Sequence, residues 1–404
     1  MNYISLFSSS GVGCYGFKQE EYECVATSEL ISRRLDVQKA NNKVKNTSGY
    51  ILGDISSNDK KEELYNVIDE YKENSNHEEI DVVIFTAPCQ GMSVANHKKN
   101  NGTIEKNSLV VEALEIVDKI QPTFFIAENV RSFMNTTCID HNHEKKIKEA
   151  FHDWLDKDYH YREKIINFKD YGGNSSRTRT LVIGVKKGKY DESTLEKIFP
   201  KKERAKTLKE VIGHLPPLTK MGEISKNDIY HNFKPYREDM RNWIKDLNEG
   251  ESAFDNINIK QRPHRIINGE LVQNVNKNGD KYKRQEWNKV APCIHTRNDI
   301  ISSQNTVHPV DDRVFSIREL MLLMNIPESF KWTNDYEFKE LNNLTIEQKK
   351  IFLKKNEINI RQSIGESIPT VIVRKIAKNI KDIVKEDKIE KESKENNQTI
   401  QFAF

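Results

Sequence analysis

The stretch Tyr3-Ile4-Ser5-Leu6-Phe7-Ser8-Ser9-Ser10-Gly11-Val12-Gly13-Cys14-Tyr15-Gly16 decides the fold. An apolar run opens it and small residues close it, which reads as a strand turning into a helix with a backbone that a ligand can approach closely. Gly11, Gly13 and Gly16 fit the G-x-G-x-x-G spacing of dinucleotide-binding loops, so a nicotinamide cofactor is the first competitor. In that pattern the first glycine usually follows its strand at once, whereas here Ser8, Ser9 and Ser10 intervene. Working outward, short apolar runs recur at Cys24 to Thr27, Tyr50 to Leu52, Asp81 to Thr86, Thr123 to Ala127 and Leu181 to Val185. Helix-period stretches such as Glu62 to Tyr71 and Leu109 to Ile120 lie between several of them. Strands alternating with helices predict an α/β lobe with a mainly parallel sheet over residues 1–185.

Beyond Val185 the chain becomes polar, with scattered Gly, Pro, Asn and Lys and no sustained period, until about Pro309. So long a stretch is implausible as a loop and reads as a second, smaller irregular domain over 186–310. Ser316-Ile317-Arg318-Glu319 has the form of a capping box opening an apolar helix that Pro327 stops, and a last amphipathic helix follows Pro369. Residues 311–384 are therefore expected to be a helical segment. From about Lys385 the chain is mostly Lys, Glu, Asn and Gln, a composition expected to leave 385–404 as a disordered tail.

The 404 residues suffice for two cores, and 31% charged against 36% hydrophobic residues, with no apolar run near the roughly 18 residues of a membrane span, predict a soluble chain. Met1 to Phe7 lacks the basic and apolar regions of a secretory signal, so a cytoplasmic location is expected. The five cysteines are widely spaced and form no C-x-x-C pair, which argues against a disulfide framework and a zinc site. Cys138, His141 and His143 are also poor in spacing and number for zinc, and read as surface residues; no metal is expected. With a net charge of only +3, nucleic-acid binding would need a local basic surface.

The fourth strand ends in Thr86-Ala87-Pro88-Cys89-Gln90-Gly91-Met92-Ser93, which places a lone thiol on a tight loop at the carboxyl edge of the sheet, where ligands bind. The fifth ends in Glu128-Asn129-Val130, so Glu128 and Cys89 should share that edge. A thiolate beside a carboxyl group is an odd pair unless a base sits between them. Cytosine C5 becomes nucleophilic only after something adds at C6; a soft thiolate suits that addition, and a protonated carboxyl on N3 and N4 would stabilise the developing charge. Arg177 and Arg179 alternate before another strand and are expected on one face, anchoring the base carbonyl and a phosphate. Glu29 and Asp54, at the ends of the second and third strands, suit the ribose and adenine of an adenosine. The bland alternatives are an inert buried cysteine, helix-capping acids and exposed arginines.

Together these segments resemble the bacterial cytosine-C5 DNA methyltransferases over nearly the whole chain. Ser5 to Gly11 is similar to that family's cofactor loop, Pro88-Cys89-Gln90 to its nucleophile motif, Glu128-Asn129-Val130 to its base-contacting motif and Arg177-Thr178-Arg179 to its paired arginines. Arg313 to Phe330 resembles the helical motif supporting the target recognition domain, and Gln362 to Pro369 the final motif that closes the cofactor pocket. Ser5, Ser9 and Glu366 depart from the family's usual Asp, Gly and Asn.

The resemblance implies the Rossmann-like fold of S-adenosylmethionine-dependent methyltransferases, with 186–310 as target recognition domain and 311–384 returning to the catalytic domain. It implies catalysis by Cys89, Glu128, Arg177 and Arg179. Phe7, Ser8, Gly11, Gly13, Glu29, Leu30, Asp54, Ile55, Pro88 and Ser367 would line S-adenosylmethionine. Gln90, Ser93, Asn129, Val130, Thr296 and Arg297 would meet the flipped base or the DNA. Lys260 to Arg297 holds nine Lys or Arg against three Asp or Glu, with Tyr282, Trp287 and two histidines interleaved, as a phosphate-tracking surface requires. Double-stranded DNA is the implied partner of a monomer, with a cognate restriction endonuclease acting separately. The alternatives are a tRNA cytosine C5-methyltransferase and a DNA-binding protein with a dead site.

Overall fold

The computed structural model describes residues 1–75, 77–88, 104, 106–275 and 279–401, the last seven of these by backbone alone. Cys89, Gln90 and Ser93 lie outside the described residues. The chain divides into one unit of residues 1–166, 178–201 and 370–404 and a second of 167–177 and 202–369.

The first unit is built on strands β1 (Asn2–Leu6), β2 (Glu23–Glu29), β3 (Tyr50–Leu52), β4 (Val82–Phe85), β5 (Phe124–Val130), β8 (Tyr159–Asn167, its last residue already in the second unit) and β9 (Thr178–Lys186), with a side hairpin of β6 (Thr137–Asp140) and β7 (His143–Lys146). The seven-stranded sheet runs β3-β2-β1-β4-β5-β9-β8. The pairs linking β1 to β5 are parallel and β9 joins β5 antiparallel, as the mainly parallel expectation requires. Val82 to Phe85 and Phe124 to Ala127 are buried throughout, because helices such as Leu109–Ile120 cover a parallel sheet and leave no solvent face to alternate towards.

Helix Thr370–Gln401 completes this unit. Ile372, Val373, Ile376, Ala377, Ile380 and Ile383 recur at helical spacing and are buried, while Tyr22 Oη donates to Ala377 O at 2.8 Å. Gly16 explains the close fit: a Cβ there would collide with Arg374 N and lie 2.7 Å from Thr370 O. The expected disordered tail differs from what is found, since the helix continues past Lys385 to Gln401. Extending a helix already nucleated by a buried face adds a hydrogen bond per residue with no new nucleation cost, which composition alone does not register.

Between residues 202 and 310 the second unit has only short helices and one hairpin among the described residues, while helix Ile346–Glu366 is its longest element. Its core gathers Trp243, Ile244, Leu247, Tyr282, Val307 and Val314. Ser316 caps helix Ile317–Leu323, its hydroxyl accepting from Glu319 N and its own N–H donating to the Glu319 carboxylate at 2.6 Å. The boundaries differ from those expected. Residues 311–369 cluster with this unit, and the return begins only at Thr370. The reason is a set of buried polar ties to the preceding residues: Asn232 Nδ2 donates to Glu357 Oε1 at 3.0 Å, Asn298 Nδ2 donates to Arg361 O, on helix Ile346–Glu366, at 2.9 Å, and Arg284 pairs with Asp312 at 2.7 Å. Residues 167–177 are drawn in by the Ser175–Ala291 bridge.

Candidate active site

Every parallel strand of the first unit delivers its carboxyl end to one edge of the sheet. The loop after β1 is tightly turned, with Phe7, Ser9 and Gly11 at φ of 55°, 47° and 77°. Left-handed backbone suits glycine, so Ser9, where the resembled family has Gly, holds a conformation that side chains disfavour. Side chains remote in sequence over-determine it. Gln38 Nε2 donates to Ser9 O at 2.6 Å, Thr86 Oγ1 to Phe7 O at 2.9 Å and Thr370 Oγ1 to Val12 O at 3.1 Å. Below the loop, Ser8 Oγ lies 2.7 Å from both Ser5 Oγ and Thr27 Oγ1, and Lys43 Nζ donates to Thr27 Oγ1 at 2.8 Å. Gln38, Thr86 and Thr370 were missed in the sequence, where nothing marks a residue as the partner of a backbone carbonyl far along the chain.

At the next two strand ends, Glu29 and Asp54 each commit one oxygen to local structure. Glu29 Oε1 accepts from Ile31 N at 3.0 Å and faces Arg34 at 3.6 Å, while Asp54 Oδ1 accepts from the N–H and hydroxyl of Ser56. Neither acid caps the following helix, whose N-caps are Ile31 and Ser57; each closes a local turn, which fixes the carboxylate and leaves its other oxygen to accept from a ligand. Beside Glu29, Leu30 is 64% exposed, an open apolar face next to a buried acid. That pairing of apolar face and acceptors fits an adenosine. Ile55 is only 2% exposed and belongs to the core.

β4 and β5 lead to the residues expected to carry the chemistry. Phe85 lies opposite Ala127, so Thr86-Ala87-Pro88, which precede Cys89 in the sequence, continue beside Glu128. Asn129 Nδ2 donates to Ala87 O at 2.9 Å and its Oδ1 accepts from Val130 N at 2.8 Å, a clamp that fixes Ala87 against β5. Val130 pairs with Arg179 across the antiparallel ladder, and Arg179 Nε reaches Glu128 Oε1 at 3.3 Å. Glu128 is buried and Arg179 half-buried.

The paired arginines part company. β9 begins at Thr178, so strand alternation does not extend to Arg177, which belongs to the second unit. Its guanidinium is buried and donates to the carbonyls of Ile294, Gly365 and Glu366 at 2.9, 3.1 and 3.3 Å. Arg177 is thus engaged by backbone carbonyls of its own unit, whereas Arg179 is engaged by Glu128. In the same unit Ser367 donates to Ser363 O at 2.5 Å, Thr296 is half-buried and the exposed Arg297 pairs with Asp299 at 3.3 Å. The expected phosphate-tracking stretch is also thinned, since Tyr282 is in the core and Arg284 is buried against backbone carbonyls and Asp312. Cys138, expected at the surface, is fully buried, and no metal-binding cluster occurs among the described residues.

This sheet order, with Glu29 and Asp54 at successive strand ends and a carboxyl–guanidinium pair further along the same edge, is the methyltransferase fold. A DNA modification methyltransferase from an Escherichia coli prophage shares it with a TM-score of 0.62 at 19% identity, covering 95% of this chain and 99% of that one. The Dnmt2 methyltransferase of Schizosaccharomyces pombe follows at 0.56 and 12%, covering 95% of this chain and 99% of that one. The model of the C-5 cytosine-specific DNA methylase family matches residues 1–382, and the chain belongs to that family. It is 29% identical to the type II methyltransferase M1.HgaI of Avibacterium volantium over 93% of this chain and 97% of the relative. With M1.HphI of Haemophilus parahaemolyticus it shares 25% over 93% and 86%. The chain is thus a DNA cytosine C5-methyltransferase, and neither the tRNA nor the nicotinamide alternative is favoured. No described helix is long and apolar enough to cross a membrane.

Proposed function

We propose that this enzyme methylates C5 of a flipped-out cytosine within a specific word of duplex DNA, as the cytoplasmic modification partner of a separate restriction endonuclease. In this reading Cys89 is the nucleophile, the second unit selects the word, and the protein acts as a monomer. The observation that carries it is the Glu128–Arg179 pair at 3.3 Å, set beside the strand end that leads into Cys89.

The target base must leave the duplex, at a few kcal/mol of unstacking offset by DNA contacts. The Cys89 thiolate then adds to C6; the displaced ring electrons move towards C5 and N3, where Glu128, carrying the proton, hydrogen-bonds N3 and accepts from N4. Arg179 holds the Glu128 carboxyl in place, and Asn129 holds the backbone from which Cys89 is presented. S-adenosylmethionine, when bound, supplies the methyl group as an electrophile; Glu29 and Asp54 would accept from its ribose and adenine, with Leu30 against the ring and Phe7, Ser8, Gly11, Gly13 and Pro88 around it. After methylation a base takes the C5 proton, the C6–S bond breaks and the thiolate is regenerated.

Cys89→Ser tests the mechanism. Duplex binding should persist, while methyl transfer and the covalent adduct with DNA carrying 5-fluorocytosine disappear. Full methylation by that variant would overturn the assignment.

A further inference from the structure

The second unit carries a two-stranded ribbon of β10 (His264–Ile267) and β11 (Glu270–Gln273). Asn268 and Gly269, at φ of 51° and 84°, form the two-residue turn that such hairpins favour. Directly opposed residues of an antiparallel pair share a face, so the register places His264, Gln273, Ile266 and Leu271 on one face and Arg265, Val272, Ile267 and Glu270 on the other. The first face is anchored at its base: the His264 ring lies 5.3 Å from that of Trp243, and Gln273 Nε2 donates to Ile259 O at 2.8 Å. The second has no such anchor among the described residues. Ile267 and Val272 are 46% and 39% exposed; Ile266, on the first face, is also exposed at 63%, so what sets the second face apart is the lack of an anchor and the exposed Arg265, which none of the described ion pairs uses.

A two-stranded hairpin is marginal alone in water, and baring β-branched side chains beside an unpaired guanidinium gives it nothing in the free protein. The charge around it indicates the occupant. Residues 258–283 hold six Lys or Arg against two Asp or Glu, a balance suited to a polyanion rather than to an apolar protein face. The major groove of duplex DNA admits a two-stranded ribbon between its phosphate rims and offers thymine methyls to apolar side chains and guanine O6 and N7 to arginine. We infer that the β10–β11 ribbon is the base-reading element of this enzyme, with Arg265, Ile267 and Val272 facing base edges. The inference rests on the reading of the enzyme as acting on a duplex word.

The test expresses wild type, Arg265→Ala, Ile267→Ser, Val272→Ser and the control Ile351→Ser, an exposed position on helix Ile346–Glu366, in a host lacking cytosine methylation, followed by bisulfite sequencing. All four substitutions are at exposed positions, and melting curves check the fold. The ribbon variants should still methylate cytosine but tolerate other bases at one position of the word, discrimination there falling roughly 10- to 100-fold, while Ile351→Ser keeps the wild-type word. An unchanged word in all ribbon variants, with only rate or salt dependence altered, overturns the inference and leaves the ribbon a phosphate or protein contact. For a variant that methylates too little to score, competition between a duplex carrying the wild-type word and a scrambled one decides: lost preference supports the inference and kept preference overturns it. Unmethylated host DNA with wild type is a different failure, which removes the duplex-methylation reading and the inference with it.

Discussion

In the proposed mechanism, Glu128 and Arg179 show how far single residues carry the function. Each lies at a strand end, one on β5 and one on β9, and the antiparallel register alone brings their charged groups to 3.3 Å. Because a proton-donating side chain in a transition state is worth about 10²- to 10⁴-fold, Glu128→Gln should lower the single-turnover methylation rate by that order while duplex affinity changes only a few-fold. Arg179→Ala should follow in the same direction, less steeply, because it removes the group that orients the carboxyl and leaves the carboxyl itself. Rapid-quench measurement beside a binding titration separates the two, and a variant that lost binding and rate together would contradict these roles. Arg177 is the contrasting case. Its motif is the one expected, yet its guanidinium is spent on the carbonyls of Ile294, Gly365 and Glu366.

Among the elements, the loop after β1 and the helix Thr370–Gln401 depend on each other. The glycine pattern that invited a nicotinamide reading resolves into two different demands: Gly11 supplies a positive φ, and Gly16 supplies the absence of a side chain where the returning helix crosses. Gly16→Val would force that helix outward, loosening the Thr370 hydroxyl from Val12 O. Overpacking of this kind costs about 1 to 3 kcal/mol, so the urea midpoint should fall accordingly, and the C-terminal helix should become more sensitive to protease before the sheet does. An unchanged midpoint would show that the helix can shift freely. The sequence announced both glycines and the helix, but gave no sign that they met.

At the scale of the whole molecule, one contribution to acid sensitivity lies in the second unit. His308 Nδ1 accepts from Asp311 N at 2.9 Å, which requires that nitrogen to be unprotonated, and burial pushes the ring down to about 4. Burial also works against the Glu319 charge, but the adjacent Arg313 prevails and holds the carboxyl well below the usual carboxylate range. With an unfolded histidine near 6.5, the unfolded chain binds the extra proton between those limits. The stability contributed by neutral His308 is therefore complete above about pH 6.5 and declines as pH falls towards 4, by roughly 3 kcal/mol across the window. Urea unfolding at a series of pH values should show this decline, and His308→Gln should flatten it; an equal slope in both proteins would assign the acid sensitivity elsewhere.

The sequence by itself determined the strands, their alternation with helices, the order of the motifs and hence the family, because apolar period and turn chemistry are local and each motif is a short contiguous run. The strand-end positions of Glu128, Glu29 and Asp54 were legible for the same reason: each strand's end is marked by its neighbours. Only the tertiary structure decided which residues act on one another across the chain. Strand register paired Arg179 with Glu128, and backbone carbonyls claimed Arg177. Gln38, Thr86 and Thr370 were enlisted to hold a strained loop, and a buried face carried the last helix beyond Lys385. These outcomes depend on contacts between residues tens to hundreds of positions apart, where burial and hydrogen-bond satisfaction, rather than local pattern, select the partner.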